Sequence, residues 1–356
     1  MTVSASFFGT DGIRGVVELR DVEEDEAIRL IEDERTLTPA FMRLVGEALS
    51  YTQPHLPGEG SVVVVGWDRR PGNQALVRAL TLGLRLTGSR VIHIGECATP
   101  TLHRAVLVFG ARAGCMITAS HNPVSDSGIK VFDTFGYKSN RAYEADVSQT
   151  VRQLAEEDRD VDVVDREALS KPDEDRPQWS ETAHRTWLAE RWGQFESMFG
   201  SWTDAALERF ASPFLIDCAN GFGATWLAAF LREHGVDCHE VSSPSAVLNE
   251  GCGAGDLSPT ATWTHEEAKA SPHQMIQALP SAPEGQLVAA ALDGDGDRCL
   301  LVQATKTGFA VVDGDAMAAM LLEAAADQPW SFAASIESDV CLLYTSDAAD
   351  EEASGD

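Results

Sequence analysis

The sequence predicts an α/β fold: similar α/β domains in series, with mixed, mostly parallel sheets covered by helices. Two observations carry this expectation. Apolar runs such as Val62 to Val65 and Leu287 to Leu292 are too continuous for strands with one wet face, so they read as strands buried on both sides. Helical patterns alternate with these runs, and the strand-loop-helix unit recurs three times within 356 residues, length enough for two or three domains with separate cores.

Near the start, Phe7-Phe8-Gly9-Thr10-Asp11-Gly12-Ile13-Arg14-Gly15 reads as a glycine-punctuated loop that presents Arg14 at a fixed place, or as a tight turn with a surface arginine. Thr38-Pro39 opens a helix that runs through Leu49, with threonine as N-cap and proline at the first helical position. Then strand Val62 to Val65, helix Gln74 to Leu86, strand Val91 to Ile94, a helix from Pro100 to Phe109 and strand Cys115 to Thr118 follow in order. In open parallel sheets ligands gather at the carboxyl ends of strands, which makes Ser120 in Thr118-Ala119-Ser120-His121-Asn122-Pro123 a candidate site residue. The same six residues also fit a proline-stopped turn capped by serine, and Lys130 fits a surface position on a strand.

Residues 153–178 are strongly acidic and poor in large apolar side chains, as a solvated connection between domains would be. The helical pattern Ala183 to Met198 comes next, its Trp187, Trp192 and Phe195 expected to pack against neighbours. Strand Phe214 to Cys218, a turn at Ala219-Asn220-Gly221-Phe222-Gly223, helix Ala224 to Glu233 and strand Val236 to Val241 repeat the unit. The Gly-Phe-Gly of that turn lacks the third glycine and acidic partner of a dinucleotide fingerprint, so a plain strand-to-helix turn is expected. A long irregular stretch, Ser242 to Glu284, leads to strand Leu287 to Leu292. Strand Cys299 to Gln303, the segment Phe309 to Val312 and a helix Asp315 to Ala326 then open a third unit.

Directly behind the Leu287 to Leu292 run stand Asp293, Asp295 and Asp297, at alternate positions with glycines between them and Arg298 after them. Three carboxylates so close repel one another unless a cation sits among them, and hard oxygen ligands favour Mg²⁺ or Ca²⁺. An EF-hand loop is excluded, because its sixth and twelfth positions here are Arg298 and Ala304 in place of Gly and Glu. Spacing alone leaves a cation site and an acidic turn both open.

Lys plus Arg number 27 and Asp plus Glu 56, a formal charge of −29, which argues against nucleic acid or an anionic membrane as partner. A phosphorylated ligand would need a local basic pocket. The seven cysteines are dispersed and odd in number, as buried thiols of a reducing cytosol are. His234, Cys238, His239 and Cys252 match no common zinc spacing. With no basic-then-apolar leader and no apolar run of membrane-spanning length, a cytoplasmic location is expected.

Ser120 with His121 and Asn122, Arg14 on its glycine loop, Lys130 and three aspartates are the parts that phosphoryl transfer needs: a nucleophile, cations for the phosphoryl oxygens and carboxylates for a metal. Four segments, Phe8-Gly9-Thr10-Asp11-Gly12-Ile13-Arg14-Gly15, Thr118 to Pro123, Ser127-Gly128-Ile129-Lys130 and Asp293 to Arg298, together resemble the signatures of the α-D-phosphohexomutase family, in family order. Within it, Asp217-Cys218-Ala219-Asn220-Gly221 and Asn249-Glu250-Gly251-Cys252-Gly253 look most like the phosphoglucosamine mutase branch, with phosphomannomutase/phosphoglucomutase next.

The resemblance implies that Ser120 carries phosphate, that Asp293, Asp295 and Asp297 hold Mg²⁺ together with Ser120, and that Arg14, His121, Lys130 and Arg298 line the site. It implies a phosphorylated hexose or hexosamine as substrate, interconverted between 6- and 1-phosphate through a bisphosphate. It divides the chain into domain I (1–155), domain II (156–306) and the start of an incomplete domain III (307–339); residues 340–356, acidic, without a basic residue and with little periodicity, read by their own composition as a non-native tail. The family's late sugar-reading and distal phosphate-binding loops have no counterpart here, so a metal-binding fragment inactive alone is the alternative. The resemblance leaves the oligomeric state open.

Overall fold

A computed structural model of the protein describes residues 6–9, 11–53, 56, 60–157, 166–200 and 208–324. Its strands form two mixed sheets flanked by helices, as the sequence predicts.

The first sheet has the order β2-β1-β6-β5-β3-β4-β7. Its strands are β1 (Ile13–Val17), β2 (Thr36–Leu37), β3 (Val62–Trp67), β4 (Arg90–Glu96), β5 (Ala113–Ile117), β6 (Asp126–Asp133) and β7 (Glu174–Asp175). Val63, Val64 and Val65 of β3 are buried because both faces are covered. Helices α2 (Pro39–Thr52), α3 (Asn73–Leu86) and α5 (Arg141–Glu156) lie over one face, packing Phe41, Leu44, Leu80 and Val147 onto Val63 and Val65. On the other face α4 (Thr99–Phe109) sets Leu102, Ala105 and Val106 against Val64, Ile92 and Met116. Thr38 caps α2 as expected, its hydroxyl accepting from the Phe41 N–H at 3.2 Å.

The second sheet has the order β10-β13-β12-β11-β8-β9. Its strands are β8 (Phe210–Asp217), β9 (Cys238–Glu240), β10 (Thr262–Thr264), β11 (Leu287–Leu292), β12 (Cys299–Ala304) and β13 (Gly308–Val312). Parallel pairs prevail in the first sheet, but in the second only β8 with β9 and β8 with β11 are parallel. The hairpins β11-β12 and β12-β13 and the pair β10-β13 make the remainder antiparallel.

Several expectations are corrected. β13 pairs with β12 and β10, so the segment expected to open a third domain at 307 closes the second sheet instead. The reason is local: the Thr305 N–H donates to Gly308 O at 2.8 Å, folding 305–308 into a hairpin turn. Likewise β7 adds to β4 beyond the expected boundary at 155. The Arg14 segment is a strand, with Arg14 opposite Gly128 on β6, where a loop was expected. The stretch 242–284 holds β10 and short helices at His265–Lys269 and Gln274–Gln277. In the long helix α7 (Trp179–Phe199), Trp192 packs on the second sheet while Phe195 is 48% exposed. Thr10 and residues 325–356, including the expected tail, lie outside the described residues.

Candidate active site

The site lies where the loops at the carboxyl ends of β5 and β11 meet. Ser120 follows β5 in a left-handed conformation (φ 54°), which a non-glycine residue adopts only where its surroundings hold it there. Its backbone N–H donates to the Thr118 hydroxyl at 2.8 Å, and its own hydroxyl, 1% exposed with the residue, donates to Asp295 Oδ2 at 3.2 Å. Arg14 Nη2 reaches the same hydroxyl at 3.2 Å and Asp11 at 2.7 Å. Arg70, buried after β3 and paired with Asp68 at 3.0 Å, donates to the carbonyls of Ser120 and Asn122, both at 2.9 Å.

β6 runs antiparallel to β5 and places Lys130 opposite Met116. Contrary to the surface position left open above, Lys130 is only 2% exposed; its Nζ lies 2.7 Å from Asp295, 2.6 Å from Asp297 and 3.2 Å from Asp11. Burial works against its charge, but Asp295 and Asp297 outweigh burial and raise its pKa, so the ammonium persists at neutral pH.

The aspartate loop is built by its own carboxylate. Asp293 Oδ1 accepts from the N–H groups of Asp297 and Arg298, each at 3.1 Å, which curls the chain so that three ligand oxygens lie within 4.8 Å of one another. Gly296 stands at φ 65° in this curl. Thr99 clamps the middle, donating from its hydroxyl to Asp295 Oδ2 at 2.7 Å and from its N–H to Asp295 O at 2.8 Å. Burial, then the neighbouring Asp295 and Asp297, push Asp293 up to about 8. Burial also opposes ionisation of Asp295, yet Lys130 and Thr99 hold it below the ordinary carboxylate range.

Two buried oxygens, Asp293 Oδ2 and Asp295 Oδ1, have no hydrogen-bond partner. Orphaned carboxyl oxygens on converging side chains are what a hard divalent cation satisfies, so the residues fit a cation of the Mg²⁺ kind. Among the described residues this is the one group of three or more His, Cys, Asp or Glu side chains able to hold a metal. His234 is instead engaged with its own helix, Nδ1 lying 2.9 Å from Phe230 O.

Ser120, Arg14, Lys130 and the three aspartates thus converge, whereas two other predicted residues stand at the margin. Arg298 is exposed, its Nε 3.9 Å from Asp293 Oδ2. His121 is half-buried with Nδ1 unpartnered, its pKa lowered by burial and then by Arg298 and Arg14. A cleft of 570 Å³ opens beside them, lined by Asp11, Thr99, His103, Lys138, Asp297 and Arg298. Asp11, Thr99, Arg70 and Lys138 were not singled out from sequence. Asp11 sits inside the N-terminal signature and Arg70 follows the carboxyl end of β3, the position that drew attention to Ser120. Thr99 and Lys138 carried no such signal.

Residues 5–158 match the family model for phosphoglucomutase/phosphomannomutase, alpha/beta/alpha domain I. The phosphoglucosamine mutase of Frankia casuarinae is 30% identical over 90% of this chain and 60% of its own, and that of Staphylococcus haemolyticus 29% identical over 87% and 57%. The chain therefore spans less than two thirds of the length of the curated relatives it matches. In fold it is similar to a phosphoglucomutase/phosphomannomutase family protein of Burkholderia thailandensis, with a TM-score of 0.52 at 20% identity over 89% of this chain and 59% of that one. With the signatures folded into one site, residues 5–158 matching the domain I model and these likenesses along most of its length, the chain is similar to the α-D-phosphohexomutases.

Proposed function

We propose that the protein acts as a phosphoglucosamine mutase, interconverting glucosamine 6-phosphate and glucosamine 1-phosphate through phosphorylated Ser120. The observation that carries the reading is the seat of the Ser120 hydroxyl, between Arg14 on one side and Asp295 of the aspartate loop on the other. The two curated relatives named above are both phosphoglucosamine mutases, which favours a hexosamine over a plain hexose.

In the forward direction the phosphoryl group leaves Oγ of Ser120 for the C1 hydroxyl of glucosamine 6-phosphate, whose proton is balanced by the one that the freed Ser120 oxygen takes up. The resulting 1,6-bisphosphate turns end for end, and its 6-phosphoryl returns to Ser120, which releases glucosamine 1-phosphate. One P–O ester bond breaks and one forms in each half, so the enzyme's task is positioning and charge stabilisation. Asp293, Asp295, Asp297 and Ser120 would hold Mg²⁺, which when bound supplies positive charge against the phosphoryl oxygens.

The chain's own cations do the rest. Arg14, hydrogen-bonded to Ser120 Oγ, is placed to follow the phosphoryl group through transfer. Lys130, kept protonated by two carboxylates, serves as a fixed charge, not as a base. In a protein of formal charge −29, Arg14, Lys138 and Arg298 provide the local basic surface that a sugar phosphate requires, two of them lining the cleft. Incubation with glucosamine 1,6-bisphosphate and Mg²⁺ should leave phosphate on Ser120 by mass spectrometry and none in Ser120→Ala. Phosphate on another residue, or none in the unsubstituted protein, overturns the proposal.

A further inference from the structure

The loop that carries Ser120 is gripped from both sheets at once. Asn249, in the loop between β9 and β10, donates from Nδ2 to Ser120 O at 2.7 Å and to Asn122 O at 3.0 Å. These are the same two carbonyls that Arg70 holds from the first sheet. Both partners can only accept, so the Asn249 amide must present its NH₂ to them. We propose that Asn249 is a positioning residue, which fixes Ser120 relative to the aspartate loop. The inference rests on the reading of Ser120 as phosphate carrier and of Asp293, Asp295 and Asp297 as a cation site.

Three observations support it. First, the Asn249 side chain has a rigid base: its N–H donates to Ala219 O at 3.0 Å, and the N–H groups of Ala219 and Gly253 both donate to the buried Asp217 carboxylate at 2.8 Å. Asn249 stands at φ 60°, a conformation asparagine tolerates better than most residues.

Second, the aspartate loop packs directly on this amide. A Cβ on Gly294 would come within 2.8 Å of Asn249 Oδ1, 3.0 Å of its Nδ2 and 3.0 Å of Ser120 O. Glycine at 294 therefore lets three backbone segments close around one amide.

Third, the other side-chain links from the aspartate loop to the first sheet run through charge. Lys130, Thr99 and the Ser120 hydroxyl all end on aspartates that a metal would also claim. The Asn249 link is neutral and ends on backbone carbonyls, so it can persist while phosphate and cation come and go. Ser120 in its left-handed conformation needs such a hold, because nothing in its own covalent geometry favours that angle.

Asn249→Gly separates the amide from the backbone, since glycine keeps φ 60° and the bond to Ala219 O while removing the donor. Asn249→Asp keeps the shape but turns a carboxylate toward two carbonyl oxygens. On the full chain, three quantities are read: the thermal midpoint, amide hydrogen exchange across 118–123, and affinity for Mn²⁺ added as the probe metal.

The expected result for Asn249→Gly is a midpoint within about 3 °C of the parent, exchange in 118–123 faster by about 10-fold, and Mn²⁺ affinity weaker by about 10-fold, the low end of what loss of an outer-shell partner costs. Asn249→Asp should move exchange and affinity in the same direction by more, and it decides the matter alone if the glycine variant does not fold. Parent-like exchange and affinity in both variants would overturn the inference, as would affinity losses that merely track lost thermal stability. If the unsubstituted protein binds no Mn²⁺, the cation-site reading falls. Exchange at 118–123 then still judges the grip on the Ser120 loop: faster exchange in Asn249→Gly upholds it and unchanged exchange refutes it.

Discussion

The two sheets contribute opposite charges to one site. The first supplies the serine and the cations Arg14 and Lys130; the second supplies Asp293 and Asp295, both 1% exposed or less. Of the three carboxylates that meet Lys130, Asp11 alone comes from the first half. Asp295, in turn, finds its hydrogen-bond donors Lys130, Thr99 and Ser120 across the junction. The second half could not bury Asp295 alone without an unpaired ion, so the electrostatics of the site and the docking of the sheets are one problem.

The sharpest way to break that arrangement is Lys130→Met. It leaves buried carboxylates without their counter-ion, and removal of one partner from a buried pair typically costs about 3–5 kcal/mol. Urea unfolding without divalent metal should show a loss of this size, and Mg²⁺ should restore part of it by taking over the ammonium's role. A metal-independent loss would mean that Lys130 matters for packing and that the aspartates hold no cation.

A second contrast, between buried histidines and buried carboxyl groups, appears in acid. His93, beside Thr81, and His184, beside Thr101, are buried and pushed down to about 4 by burial. Below about pH 6.5 the unfolded chain takes up protons at these positions that the folded chain refuses, so stability falls as the pH drops from 6.5 to 4 and levels off below. Each histidine can contribute about 3 kcal/mol at most to that fall. Burial raises Asp68 in the first half and Asp217 and Glu240 in the second, which has the opposite sign: there the folded state holds the extra protons, and acid between the two pKa values of each group favours it. His93→Gln should flatten the pH dependence of the urea midpoint between 6.5 and 4. An unchanged slope would show that His93 is protonated in the folded protein.

Metal affinity offers a finer comparison within the aspartate loop. Asp295→Asn removes a buried anionic ligand and should weaken Mg²⁺ by about 10- to 100-fold. Asp297→Asn, at the exposed end of the loop, should do less. Isothermal titration of both variants decides it, and equal losses would contradict an ordering by burial.

What could be read in advance follows the range of the interactions. The aspartate loop and the Ser120 loop each keep their chemistry within a few consecutive residues, and both follow apolar strands whose continuity marks the sheet. The grip on Ser120 could not be read, because Asn249 acts on a carbonyl 129 positions away in the chain. β7 escaped notice for a different reason: two acidic residues at a sheet edge bury no apolar side chain and leave no periodic trace. β13 did carry an apolar pattern, but its place depended on a tight turn at 305–308, which Thr305-Lys306-Thr307-Gly308 announces only weakly beside the Asn-Gly and Asp-Gly turns that mark hairpins.

The smallest effect is expected from the second lysine on Asp11. Lys138 also pairs with that carboxylate, but 54% of its side chain is in water, against 2% for Lys130. An exposed ion pair gains little over solvation and is screened by salt, so Lys138→Ala should cost at most about 1 kcal/mol. Its effect should instead be on ligand affinity, because Lys138 lines the cleft in which a sugar phosphate would approach Ser120. Paired measurements on Lys130→Met and Lys138→Ala at low and high salt therefore separate two explanations of the site's charge balance. If burial decides, the first variant loses much stability at any salt and the second little, with a cost that vanishes at high salt. If both cost the same, Asp11 is the organising group, and the division of charge between the two sheets is secondary to one carboxylate of the first.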